Sequence, residues 1–296
     1  MLKILITGGS GFIAKSLHEV LLHEYNVVLV TRKELDLLDS VKVYDFFKKN
    51  KFDAVIHSAT YDAAPVFSTK DPQKVLENNL RMFFNIARSK DHYGKMIYFG
   101  SGAEYSRENW IPNMKEDYFD KHVPSDQYGF SKYLMAKYAQ LSNNIYNLRL
   151  FGVFGKYDDW RYRFIPNACC QAVYDMPITI NQNAVFDFLY IDDLINIVQW
   201  FLNNKPSQNI YNVCSGKSYD FKTLAGKIIN SANKSLDIKI KKDGLRIEYS
   251  GDNSLLKNEI KNIEFLSIDK SIEQLYKWYN SNKVLIDKEV LLKNIS

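Results

Sequence analysis

Tyr128 and Lys132 stand four residues apart in SDQYGFSKYLMAKY, residues 125–138. An apolar pattern continues behind them, so the stretch predicts a helix, and the i, i+4 spacing puts both side chains on one face. A free phenol titrates near ~10 and is a poor acid or base at neutral pH. A neighbouring ammonium favours the phenolate and draws the phenol toward the working range. A Tyr-x-x-x-Lys pair is by itself an ordinary surface feature, so its place in the chain decides its meaning. Upstream, a predicted strand ends in GSGAEY and supplies Ser101, whose hydroxyl can hydrogen-bond a reacting oxygen. Ser101, Tyr128 and Lys132 are therefore the candidate catalytic set, suited to proton transfer at a carbonyl or alcohol oxygen.

A second constellation opens the chain. TGGSGFIAKSL follows the first predicted strand and sets Gly8, Gly11 and Ala14 at GxxGxxG spacing. One glycine permits a tight turn, the next lets backbone approach a pyrophosphate, and the small third residue lets helix pack on strand. Ser10, Phe12 and Ile13 complete this turn and enter a helix whose N-terminus suits an anion. The second strand ends in VLVTRKELDLLD. A chain selecting NAD(H) places an acid there for the ribose 2′-hydroxyl. This one offers Thr31, Arg32 and Lys33, and Arg32 can pair with a 2′-phosphate. NADP(H) is thus the preferred cofactor, with NAD(H) possible. Asp36 and Leu37 are expected near the adenine.

The elements that must position these residues are legible as an alternation. KILIT (3–7), NVVLVT (26–31), DAVIHSA (53–59), KMIYFGS (95–101) and IYNLRLF (145–151) read as nearly unbroken apolar strands, as in a sheet buried on both faces. Helical stretches lie between them: Leu17, Val20 and Leu21 follow helical spacing, Ser40 is the expected cap of VKVYDFFKKN, and Asp71-Pro72 opens PQKVLENNLRMFFNIARSK. The pattern implies an α/β fold, a Rossmann-type doubly wound parallel sheet with a smaller α/β C-terminal substrate domain. The expected division is 1–155 with about 185–213 for the dinucleotide, and 156–184 with 214–296 for the substrate.

Composition narrows the class. The 296 residues are 46% hydrophobic and 25% charged, which excludes a disordered chain. The net charge of +5 is spread along the sequence and argues against nucleic acid. Three cysteines without CxxC fit a reducing cytoplasm, and Cys169-Cys170 reads as helix packing. The five histidines have no metal-ligand spacing, so no metal is expected. No apolar run has the length of a membrane span or signal peptide, so a cytoplasmic location without membrane association is expected.

Taken together, TGGSGFIA (7–14), HSAT (57–60), Asn79, Ser101, YGFSK (128–132), LRLFGVFG (148–155) and FLYIDDL (188–194) resemble the extended short-chain dehydrogenase/reductase family, in its nucleotide-sugar epimerase/reductase branch. The resemblance spans nearly the whole chain, and TRKELDLLD is most similar to the NADPH-using GDP-fucose synthase group. It implies that Tyr128 is the general acid/base, that Lys132 binds the nicotinamide ribose and tunes the phenol, and that Ser101 holds the sugar oxygen. It also implies that Ser58, Ala59, Thr60 and Asn79 serve the cofactor, that the substrate is a nucleoside-diphosphate sugar, and that the enzyme is a homodimer.

Three departures bear on the substrate. Gly102 and Ala103 follow Ser101 where the family's dehydratases carry Asp-Glu; Glu104 comes one position late and should point elsewhere in an extended segment, which argues against a 4,6-dehydratase. Gly152 stands where Asn is common. Phe186 stands where an arginine commonly meets the diphosphate, leaving Arg161, Arg163 and Arg246 as candidates beside Asn167. The preferred reading is reduction of a 4-keto sugar. The alternatives are an NAD-dependent C4 epimerase and, outside catalysis, a silent dinucleotide-binding sensor or structural subunit.

Overall fold

The computed structural model describes residues 1–63 and 68–295. In chain order the first half comprises β1 (Lys3–Thr7), α1 (Phe12–Leu21), β2 (Asn26–Val30), α2 (Ser40–Lys49), β3 (Phe52–His57), α3 (Val75–Ala87), β4 (Tyr93–Ser101), α4 (Gln127–Gln140) and β5 (Ile145–Leu150). There follow β6 (Gly152–Phe154), α5 (Phe164–Val173), β7 (Ile178–Asn183), β8 (Val185–Tyr190), α6 (Ile191–Asn203) and β9 (Ile210–Val213). The chain continues with β10 (Ser218–Asp220), α7 (Phe221–Ala232), β11 (Ile238–Leu245), α8 (Ser254–Glu259), α9 (Ile268–Ser281) and α10 (Lys288–Ile295).

Six strands form a parallel sheet in the order β2-β1-β3-β4-β5-β9. Its strands are mostly apolar because both faces are covered. Ile4, Ile6, Ala54 and Ile56 point into the core shared with α1, α5 and α6, while Leu5 and Val55 point into the core under α2, α3 and α4. The connections diverge between β1 and β3. That is the switch point where an open α/β sheet leaves a crevice at its strand ends. β10, β8 and β6 form a small second sheet, and β11 pairs with β7.

Local chemistry sets the helix starts. Asp39, not Ser40, caps α2: its carboxylate accepts from Val41 N at 3.2 Å and Lys42 N at 3.0 Å. Asp39 holds the extended backbone a cap needs, and its charge suits the positive helix end, so Ser40 becomes the first helical residue. Asp71 caps a 3-10 turn at Pro72–Lys74 that runs on into α3, as the Asp-Pro signal predicts. Cys169 and Cys170 are fully buried in α5, as helix packing requires. Gly152 is explained by close approach: a β-carbon there would lie 2.6 Å from Asp187 O and 2.9 Å from the Phe188 ring, so a side chain would part β6 from β8. No helix among the described residues is long and apolar enough to cross a membrane.

Candidate active site

A cleft of about 970 Å³ opens at the switch point. Gly8, Ser10, Gly11 and Phe12 line it from the turn after β1, Arg32, Asp36 and Leu37 from beyond β2, and Ser58, Ala59 and Thr60 from beyond β3. Gly8 has φ +77°, and a β-carbon there would come within 2.8 Å of the Ala59 backbone, so the turn requires glycine. The N-cap of α1 is Gly11, with no side-chain hydrogen bond on the first amides of the helix. A glycine turn open to the cleft and feeding a helix N-terminus without a side-chain cap fits a pyrophosphate.

Two predicted cofactor residues stand back from the lining. Ile13 packs against the core. Asn79 is buried and braces the loop after β3, accepting from Tyr61 N at 2.7 Å and donating to Tyr61 O at 3.0 Å. Arg32 lies at the cleft mouth with its side chain 74% exposed, and its Nε is 3.3 Å from Asp36 Oδ2. The arginine thus already has a carboxylate neighbour from within the same lining.

Ser101, Tyr128 and Lys132 meet at the C-terminal end of β4 and the start of α4. They lie outside the cleft lining proper and adjoin it at Asp62 and Arg163, both of which line the cleft and act electrostatically on the Tyr128 phenol. Asp126 caps α4 by accepting from Gly129 N at 2.9 Å, which sets Tyr128 in the first turn. Lys132 is buried; its Nζ donates to Phe99 O at 2.8 Å and lies 4.7 Å from the Tyr98 ring centroid and 5.7 Å from that of Tyr128.

The electrostatics differ from the sequence expectation. The Tyr128 phenol lies well above its ordinary range, because burial opposes ionisation and Asp62 and Tyr249 add to that effect. The nearby Ser101 hydroxyl and the Arg163 charge pull the other way and do not prevail. Burial lowers the Lys132 amine to about 8, with Glu104 and Asp62 holding it up. Tyr128 is therefore a protonated phenol at neutral pH, suited to giving a proton.

Tyr249 was not visible as a site residue in the sequence. Its hydroxyl donates to Leu150 O at 3.5 Å, and burial pushes it up to about 12, with Ser101 acting to lower it. It arrives from the C-terminal part: Tyr249 N donates to Val185 O at 2.9 Å, and Asp187 N donates to Tyr249 O at 3.0 Å. Phe186, in the position expected of an arginine, packs its ring 5.2 Å from that of Tyr249. Gly102 makes room, since a β-carbon there would lie 2.6 Å from the Tyr249 hydroxyl. The residue type carried no signal; the fold alone brings it in.

Glu104 does not lie in an extended segment. Gly102–Tyr105 forms a 3-10 turn in which Ser101 and Glu104 make a capping box. The buried carboxylate accepts from Ser101 N at 3.0 Å and from Arg149 Nε at 2.6 Å. It is thereby turned away from the position a water-expelling acid would need.

The candidate substrate residues divide between two cavities. Arg161, Asn167 and Arg246 line a second pocket of about 500 Å³, together with Lys241 and Lys293. Arg163 lines the first cleft instead, near Tyr128, with its Nε 4.0 Å from Asp158. Arg161 borders both and bonds Asp159 through Nε at 2.7 Å. Asp158 is an acid the sequence reading passed over. It is buried in the cleft wall, its Oδ2 has no partner, and burial raises it to about 7 against the nearby Arg163 charge. Among the described residues no group of three His, Cys, Asp or Glu side chains could hold a metal ion.

A glycine-turn cleft beside a serine, tyrosine and lysine set is the arrangement of a dinucleotide-dependent oxidoreductase. The chain belongs to the NAD dependent epimerase/dehydratase family, whose model matches residues 4–214, within the extended short-chain dehydrogenase/reductase enzymes that the motifs resemble. It is 25% identical to the GDP-L-colitose synthase of Yersinia pseudotuberculosis over 285 residues, covering 86% of this chain and 91% of that protein. It is 21% identical to the GDP-L-fucose synthase of Escherichia coli K12, covering 95% and 97%. The fold superposes with a TM-score of 0.81 on the GDP-mannoheptose C4 reductase of Campylobacter jejuni with NADP bound, at 21% identity and covering 94% and 98% of the two chains. The family indicates a nicotinamide dinucleotide cofactor.

Proposed function

We propose that the protein reduces the 4-keto group of a nucleoside-diphosphate sugar with NADPH. The observation that carries this reading is the placement of Tyr128 over the buried Lys132, whose Nζ lies 5.7 Å from the phenol ring and is anchored on Phe99 O of the strand that ends in Ser101, beside the dinucleotide cleft. A bound nicotinamide supplies the hydride. Ser101 orients the carbonyl oxygen, Tyr128 gives it a proton, and Lys132 stabilises the phenolate left behind. The names of the relatives, which are synthases or reductases of GDP-linked sugars, support the substrate class. With this reading we take 1–155 and about 185–213 as the dinucleotide part, and 156–184 with 214–296 as the sugar-nucleotide part.

The diphosphate is assigned to the second pocket, where Arg246, Lys241 and Lys293 gather beside Asn167. Arg163, near Tyr128, is assigned to the reacting end. Arg246→Ala is expected to raise the sugar-nucleotide KM about tenfold, the loss of one charge-assisted contact, with NADPH affinity unchanged. Arg163→Ala is expected to lower kcat instead. Steady-state kinetics with a nucleotide-sugar ketone decide both, and an unmoved KM in Arg246→Ala removes that arginine from the diphosphate site.

Cofactor choice separates this reading from a C4 epimerase. One observation favours the latter: Asp36, which lines the cleft and pairs with Arg32, is an acid that a bare ribose can use. We expect NADPH to bind more tightly than NADH by about 1.5 kcal/mol, a modest margin because Arg32 is exposed and Asp36 competes for it. Salt should shrink the preference, and Arg32→Ala should abolish it while sparing NADH. Titration with both cofactors is the test. Equal affinities, or isolation with firmly held NAD and no net cofactor oxidation in a screen of nucleotide-sugar ketones, would favour the epimerase.

A further inference from the structure

Two of the last three residues of β4, Gly100 and Ser101, share a hidden partner in Glu104. Phe99 O receives the Lys132 ammonium at 2.8 Å, and Ser101 N donates to Glu104 Oε1 at 3.0 Å. Between them Gly100 has no side chain, and a β-carbon there would fall 2.1 Å from both Glu104 Oε1 and Asn147 Oδ1. The Glu104 carboxylate therefore lies flat against the peptide that joins the lysine's anchor to the serine. Arg149 Nε holds it at 2.6 Å and Asn147 Nδ2 at 3.1 Å, all fully buried. A buried ion pair of this kind adds little net stability. Among the described residues this one also leaves Arg149 Nη2 and Asn147 Oδ1 without hydrogen-bond partners, so a role in folding alone explains it poorly.

We propose that Glu104 is a positioning residue of the reaction: from beneath Gly100 its carboxylate fixes Ser101 against Tyr128 and sets a negative charge under the Lys132 ammonium. The inference rests on the reading of Tyr128 and Lys132 given above. Facing the lysine are the Tyr98 and Tyr128 rings, His57, Asp62 and Glu104. Facing Glu104 are Arg149, Asn147, Tyr98, Tyr105 and Tyr249. His57 is held neutral by burial at about 3 and supplies no charge at working pH. Glu104 and Asp62 are then the anions that oppose the loss of the lysine's proton.

The test compares Glu104→Gln, which keeps the reach to Ser101 and loses the charge, with Glu104→Asp, which keeps the charge and loses the reach. Removing the charge strands Arg149, so the double variant Glu104→Leu/Arg149→Met is measured beside them; apolar replacement of a buried pair is commonly tolerated. Lys132 is titrated by NMR of ε-carbon-labelled lysine, its signal assigned by its absence in Lys132→Met. In Glu104→Gln and in the double variant the midpoint should fall by about one pH unit or more, and the alkaline limb of kcat/KM should move with it. In Glu104→Asp the midpoint should hold while kcat drops at unchanged KM. A folded double variant with wild-type midpoint and wild-type turnover would overturn the proposal. The NMR midpoint needs no substrate, so a wild-type enzyme inactive on every ketone tried would sink the functional reading and leave this result standing.

Discussion

Tyr128→Phe should lose turnover by about 10²–10⁴, the range for a general acid, with its fold and NADPH affinity kept. The substitution removes one hydroxyl and leaves Ser101 with a partner, because its Oγ still accepts from Ala103 N at 3.1 Å. The loss should fall on kcat, since the proton is needed only as charge develops on the carbonyl oxygen. Rapid-mixing kinetics of NADPH oxidation would measure it. Turnover near that of the wild type would remove Tyr128 from the mechanism and leave water or Tyr249 as the donor.

Lys132→Met should lower kcat by about 10² and change the pH profile in a way that identifies the lysine. With the free-enzyme amine near 8, kcat/KM should be level below that pH and fall above it as the ammonium is lost. The Met variant should lack this limb and run flat at its lower level. Stability carries a separate signature. The folded amine titrates below its unfolded value of about 10.4, so burial of the charge disfavours the fold below pH ~8, and the penalty fades as pH rises toward ~10. The Met variant should therefore compare best with the wild type in acid and worst in alkali. A limb near 8 that persists in the variant belongs to another group.

What the sequence disclosed was what local pattern carries. The glycine turn, the buried strands and the Tyr-x-x-x-Lys face each need only neighbours along the chain, and each lies where expected. The misreadings share one cause. Glu104 was placed in an extended segment because its partner Arg149 lies 45 residues away. Nor does anything local show that Asn79 braces the loop after β3 through both ends of its amide. Arg163 and Arg246 looked equivalent as basic residues, and the chain sends them to different cavities.

Tyr249 bears on how the protein comes into being. The glycine turn belongs to the first dozen residues, and β1 to β5 pair in an order that local growth can follow. The last strand of the main sheet, β9, joins β5 only after some sixty residues have intervened, and the phenol beside Ser101 comes later still. Contacts so distant in sequence are slow to close and form last. A nascent chain should thus acquire its dinucleotide turn well before its reaction centre is complete. The cleft itself closes later still, because Trp278, Tyr279 and Leu285 complete its lining, so a dinucleotide bound there favours the whole folded chain rather than the turn alone.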